Sequence, residues 1–224
     1  MKLYYHPAST TCRIITMFAA EEGIDLDYQL VDILSGEQHQ PEYKALNPNG
    51  LVPFLDDDGF HLSESGAIIR YLAGKAGSAA YPADLKQRAR VDEMMEWFYS
   101  NFYKDFGYGL VYPQLFPHHK RSGDEAQAVT VEWGREKARH WLGILDRDLI
   151  GPDRKFLCGD RVTLADYVGI EMVTLGDLVA CGFTDYPNVC RWIGNMKPLR
   201  NWAAVHEVAD GFAASLRGQQ YVSI

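Results

Sequence analysis

The spacing of apolar residues changes character along the chain. Near the N-terminus, KLYY reads as a short strand, TCRIITMFAAEEG as a helix closing at Gly23, and LDYQLVDI as a second strand with apolar residues on alternate positions. LVPFL, the DDDG turn and FHLS then suggest an antiparallel hairpin, and SESGAIIRYLAGKAG a final helix. With a helix around PEYKAL, the predicted order is β-α-β-α-β-β-α.

Beyond this point no strand pattern recurs. GSAAYPADL has linker character. Val91, Met95, Phe98, Phe102 and Phe106 then fall at steps of three and four and define one apolar helical face. A second long helix is expected from about Asp124 to Leu149, carrying Trp133, Trp141, Leu145 and Leu149 and stopping at GPD. The fold class is therefore α/β plus all-α, with a small α/β domain over 1–76, a linker over 77–84 and a helical domain over 85–224.

Composition narrows the function classes. The chain has 224 residues, 47% of them hydrophobic, enough for a core without staples. Its four cysteines, Cys12, Cys158, Cys181 and Cys190, form neither a C-x-x-C pair nor a metal-ligand spacing, so no metal is expected and a reducing cytoplasm fits. MKLYYHPAST lacks the apolar stretch of a signal peptide, and no run reaches bilayer-spanning length, which argues against a membrane location. The net charge of −8 argues against a nucleic-acid partner. Residues 1–76 carry most of it, five Lys/Arg against eleven Asp/Glu, so an anionic ligand there would need local donors.

Three stretches carry candidate chemistry. In HPASTTCRI, Ser9 sits at the start of the first helix, where free amides and the helix dipole favour an anion. Its hydroxyl either caps the helix or donates to a thiolate; Tyr5, Thr10 and Thr11 are rival hydroxyls, and Cys12 is most simply a small buried apolar residue. Val52-Pro53 interrupts a strand-like run, marking either a strand opening or a cis bond that leaves the Val52 backbone free for a ligand peptide. In SESG, Glu64 and Ser65 at a helix start form either an ordinary cap or a site for the two charges of an α-amino acid. A fourth stretch, DRVTLADY, places Thr163 three residues before Asp166 and reads as a capping box serving folding.

Together these features resemble a cytosolic glutathione S-transferase over essentially the whole chain. YYHPASTTCR is similar to the theta- and delta-like branches, including bacterial glutathione-dependent dehalogenases with an activating Ser, and NPNGLVPFLDDDGFHLSESGAIIRYL resembles the family's glutathione-site segment. The resemblance implies a thioredoxin-like N-terminal domain, a homodimer and glutathione as co-substrate. Ser9 would hydrogen-bond the glutathione sulfur, Val52 would pair through its backbone with the cysteinyl part beside a cis Pro53, and Glu64 and Ser65 would hold the γ-glutamyl end. Gln38 or His39 would meet the glycine carboxylate. Gly50 and Gly66 stand where delta-like relatives often have His and Arg, which removes donors.

The acceptor, a small hydrophobic electrophile, would lie between the domains against Tyr103, Phe106 and Tyr108. Phe98 and Phe102 read rather as interdomain core. Transfer to a hydrophobic electrophile is the expected detoxification activity. Haloalkane dehalogenation and non-catalytic glutathione binding are the alternatives.

Overall fold

The computed structural model describes residues 1–224. The first half builds β1 (Lys2–Tyr5), α1 (Thr10–Glu22), β2 (Asp27–Leu30), α2 (Pro41–Leu46), β3 (Phe54–Asp57), β4 (Phe60–Ser63) and α3 (Ser65–Ala76). The strands form one mixed sheet in the order β2-β1-β3-β4, with β1 parallel to β2 and antiparallel to β3, and β4 antiparallel to β3. This is the β-α-β-α-β-β-α thioredoxin-like arrangement read from the sequence. Leu3 opposes Leu55 across the sheet centre, and both are fully buried. Gly23 ends α1 at φ 68°, a left-handed position that glycine occupies without a Cβ penalty.

The remainder is helical: α4 (Leu85–Trp97), α5 (Tyr103–Asp105), α6 (Tyr112–Leu115), α7 (Asp124–Ile144), α8 (Leu164–Thr174), α9 (Pro187–Met196) and α10 (Trp202–Ser215). No helix is long and apolar enough to cross a membrane. α4 to α6 form one path widened by π-helical turns at Phe98–Phe102 and Phe106–Val111. The face expected along it is buried throughout, from Val91 through Met95, Phe98 and Phe102 to Phe106. The site assignment for Phe106 fails on that burial: its ring packs 4.9 Å from Phe102 in the core and does not line the interdomain cleft.

The second long helix also departs from expectation. Regular α-helix stops at Ile144, and Leu145–Ile150 is a π-helical turn. That turn presents the Asp146 carboxylate to the start of α9, where it accepts from the backbone of Asn188 at 2.7 Å and Val189 at 3.0 Å. Trp133 is exposed, and the face of α7 that packs inward runs instead through Val131, Gly134, Ala138 and Leu142. At Gly134 the two helical paths meet backbone to backbone; a Cβ there would lie 2.4 Å from the carbonyl carbon of Gly109.

The expected capping box at the start of α8 is present. Asp166 accepts from the Thr163 backbone at 2.8 Å, the Thr163 hydroxyl at 2.9 Å, the Leu157 backbone at 2.9 Å and the Trp192 indole at 2.9 Å. Burial pushes its pKa above the ordinary carboxylate value despite these bonds, and both carboxylate oxygens already accept two bonds each. A second buried connection joins the domains. Glu171 on α8 accepts from Arg13 of α1 at 2.7 Å, and Nε2 of His206 on α10 approaches it to 2.9 Å.

Candidate functional site

One large cleft of about 630 Å³ opens between the domains. The start of α1 forms its floor. Ser9 is the N-cap residue: its Oγ accepts from the Cys12 amide at a long 3.4 Å and lies 3.2 Å from Thr11 Oγ1. The cap is weak, so the hydroxyl is only loosely committed to the helix. Thr11 Oγ1 donates to the Val52 carbonyl at 3.3 Å, and Thr10 accepts from the Tyr112 hydroxyl at 3.3 Å. Cys12 lies beneath, fully buried, its thiol pushed up to about 11 by desolvation in spite of the Ser9 contact. It cannot act as a thiolate at neutral pH.

Val52-Pro53 is a cis peptide immediately before β3. The Val52 carbonyl is held by Thr11, whereas its N–H has no partner within the protein. Asn47 Nδ2 and the Tyr43 hydroxyl, each 2.7 Å from the Leu51 carbonyl, brace the loop that presents it.

Glu64 and Ser65 stand at the start of α3. Glu64 is the N-cap residue, yet its side chain makes no capping bond and its φ is 69°, a left-handed backbone that a non-glycine residue rarely adopts. The ordinary-cap reading of this turn therefore fails. Such strain persists where the surroundings hold it, typically at a binding site. Ser65 is buried, and its Oγ lies 2.7 Å from the Tyr99 hydroxyl of the opposite domain.

Ser9, Gln38, Val52, Pro53, Glu64 and Ser65 all line this cleft, as do Tyr103 and Tyr108 across from them. His39 and Tyr5 do not. His39 is exposed outside the cleft, its Nε2 3.3 Å from the amide nitrogen of the half-buried Gln38, and Tyr5 packs on Tyr28 with ring centroids 5.0 Å apart. The far wall is aromatic. Tyr103 and Tyr112 hydroxyls are 2.6 Å apart, and Tyr112 stacks on His119. Burial raises the pKa of Tyr99, Tyr103 and Tyr112, so all three remain neutral hydroxyls able to donate.

Sequence reading missed Tyr99, Tyr112, His119 and Phe212 of α10 as cleft residues. FYSNFY and VYPQLF carry aromatic residues without a spacing that tells cleft from core, because the π-helical turns rotate them out of the 3.6-residue period. No group of three or more His, Cys, Asp or Glu side chains is arranged to hold a metal ion.

A thioredoxin-like domain joined to an all-helical one, with a strained helix start and a hydroxyl-bearing turn sharing one cleft between them, defines a class of two-domain proteins. The family comparisons agree. Residues 3–80 match the glutathione S-transferase N-terminal domain and residues 92–197 the C-terminal domain. The structure is similar to a delta-class glutathione transferase of Nilaparvata lugens, with 31% identity over 96% of this chain and 98% of that one and a TM-score of 0.79. A glutathione transferase of Bombyx mori is 30% identical over 96% of this chain and 95% of that one, TM-score 0.78. Human glutathione transferase theta-2, in complex with glutathione, is 27% identical over 100% of this chain and 93% of that one, TM-score 0.84. The chain belongs to the glutathione S-transferase family.

Proposed function

We propose that the protein is a catalytically active transferase of the theta- and delta-like type, in which Ser9 stabilises the glutathione thiolate for attack on a small hydrophobic electrophile. The observation that carries this reading is the Ser9 hydroxyl: it faces the cleft at a helix N-terminus, its capping bond is long, and the buried Cys12 offers no competing thiolate. Glutathione would lie along the 1–76 domain. Its γ-glutamyl end would meet Glu64 and Ser65, its cysteinyl backbone the free Val52 N–H beside Pro53, and its glycine carboxylate Gln38. The 85–224 domain would supply the acceptor wall through Tyr103 and Tyr108. A cytoplasmic homodimer is part of the same proposal.

The chemistry asked of the site is modest. A free thiol has a pKa near 8.5, and lowering it by about two units needs roughly 2.7 kcal/mol of preferential thiolate stabilisation. A hydrogen bond to the charged sulfur and the α1 N-terminus together supply that order of energy. The thiol proton leaves to solvent, the thiolate forms a C–S bond to the electrophilic carbon, and the leaving group departs with the bonding pair. The cleft adds proximity.

The test is a pH titration of the thiolate ultraviolet absorbance of protein-bound glutathione, with Ser9→Ala in parallel. The expected result is a thiol pKa about two units below that of a free thiol, returning towards it in the variant. Saturable binding with no shift would make Ser9 a helix cap only and the protein a binding module. With the shift present, halide release from small haloalkanes distinguishes dehalogenation from general conjugation.

A further inference from the structure

We propose that Tyr99, contributed by the helical domain, positions the Ser65 hydroxyl for the γ-glutamyl carboxylate of glutathione, so that this end of the ligand is recognised across the domain boundary. The inference rests on the glutathione reading above and adds a residue to it.

Three observations converge. First, the two hydroxyl oxygens lie 2.7 Å apart, and neither has another partner in the protein. Two hydroxyls that share one hydrogen bond retain one hydrogen. When Tyr99 donates to Ser65, the Ser65 hydrogen is directed away from Tyr99, to an acceptor at the start of α3, where unpaired amides favour a carboxylate.

Second, Gly66 is the residue that lets Tyr99 in. A Cβ at position 66 would lie 3.0 Å from Cε2 and 3.4 Å from Cζ of the Tyr99 ring, so the ring fills the space a side chain there would occupy. Tyr99 sits in the π-helical turn Phe98–Phe102 and lines the cleft.

Third, the cation beside Gly66, Arg70, is already committed. Arg70 donates to Asp92 at 2.7 Å, to Glu96 at 3.0 Å and to the Gly66 carbonyl at 3.3 Å. Two carboxylates neutralise it, and recognition of a ligand carboxylate falls to hydroxyl and amide donors. A hydroxyl donor serves this purpose only if it is oriented, because a free serine rotor at a helix start turns back to local backbone groups.

The experiment measures binding of glutathione, and of the analogue whose γ-glutamyl α-carboxylate is converted to the amide, by competition on the wild type, Tyr99→Phe, Ser65→Ala and the double variant. Tyr99→Phe keeps the ring against Gly66, and thermal unfolding of each variant verifies the fold. A hydrogen bond serving a charged group is worth enough for about a tenfold loss of glutathione affinity in Tyr99→Phe, with less than about twofold loss for the amide. Ser65→Ala should lose at least as much, and adding Tyr99→Phe to it should cost nothing further, the mark of two residues acting as a unit.

Equal weakening of both ligands would assign Tyr99 a packing role and overturn the inference. So would unchanged glutathione affinity in a wild type and variant that both bind it. Failure of the wild type to bind glutathione at all would remove the functional reading itself, and the inference with it.

Discussion

The two walls of the cleft are built on opposite principles. The wall from residues 1–76 is polar and made of chain ends: a helix start at Ser9, a loop before a strand at Val52, and a strained turn at Glu64. Backbone groups do much of its work, and each is fixed by local geometry. The opposite wall is aromatic and made of helix faces, with Tyr99, Tyr103, Tyr108 and Tyr112 projecting from helical turns. The first can hold a peptide by complementary donors and acceptors; the second offers apolar area with a few neutral hydroxyls. On the function proposed above, specificity for the thiol is concentrated in the first wall and latitude for the acceptor in the second.

The largest effect should come from cutting the buried connection between them. Glu171 is fully buried, and desolvation opposes its charge, yet Arg13 and His206 hold its pKa below the ordinary carboxylate range. Glu171→Gln leaves Arg13 without its counter-charge and should cost about 3 kcal/mol in urea unfolding at neutral pH. Because the native pKa is depressed, the stabilisation is present above the unfolded carboxylate value and is lost as pH falls through the native one. The wild type should lose stability over that acid range, and the variant's profile should be flatter there. An unchanged midpoint would mean that the buried ion pair adds nothing to the apolar packing and hydroxyl contacts that also join the walls.

A smaller effect separates the two walls chemically. Ser9→Ala should lower turnover by up to about 100-fold, the equivalent of two pKa units, with a stability loss of only about 0.5 kcal/mol because its capping bond is long. Tyr108→Phe should leave the bound thiol pKa where it is and change only the dependence on acceptor. If Tyr108→Phe shifts the thiol pKa, the division of labour is wrong.

The smallest effect concerns the hydroxyl chain from Thr10 through Tyr112 to Tyr103. Tyr112→Phe removes its middle member and should cost about 1 kcal/mol of stability, with a loss in acceptor turnover of less than about tenfold. A loss as large as that of Ser9→Ala would move the chemistry to the aromatic wall.

The same division explains what could be read from the chain. Ser9, Val52-Pro53 and SESG were legible because their signals are local: a hydroxyl before a helical run, a proline before a strand, an acid and a serine at a helix start. The β-α-β-α-β-β-α order followed from switches of period. The aromatic wall was not legible in the same way. Phe98 and Phe106 lie on the same apolar face, and the sequence reading separates them, Phe98 to the core and Phe106 to the pocket, whereas both lie in the core. Along α7 the sequence does not say which residues face inward: Trp133 is exposed, and the packing face runs through Gly134 and Ala138. Periodicity marks apolar faces; it does not reveal where a wide turn rotates one, or where two backbones come so close that glycine is the contact.

That last feature has implications for how such a pocket can change. At Gly134 and Gly109 there is no side-chain cushion, so the position of the Phe106–Val111 turn is set directly by the backbone of α7. Any residue larger than glycine at 134 would displace that turn, and Tyr108 and Tyr112 would travel with it. On the proposed function, the breadth of acceptors accommodated could therefore drift through substitutions at this backbone crossing, while the polar wall, anchored on the sheet, stays in place.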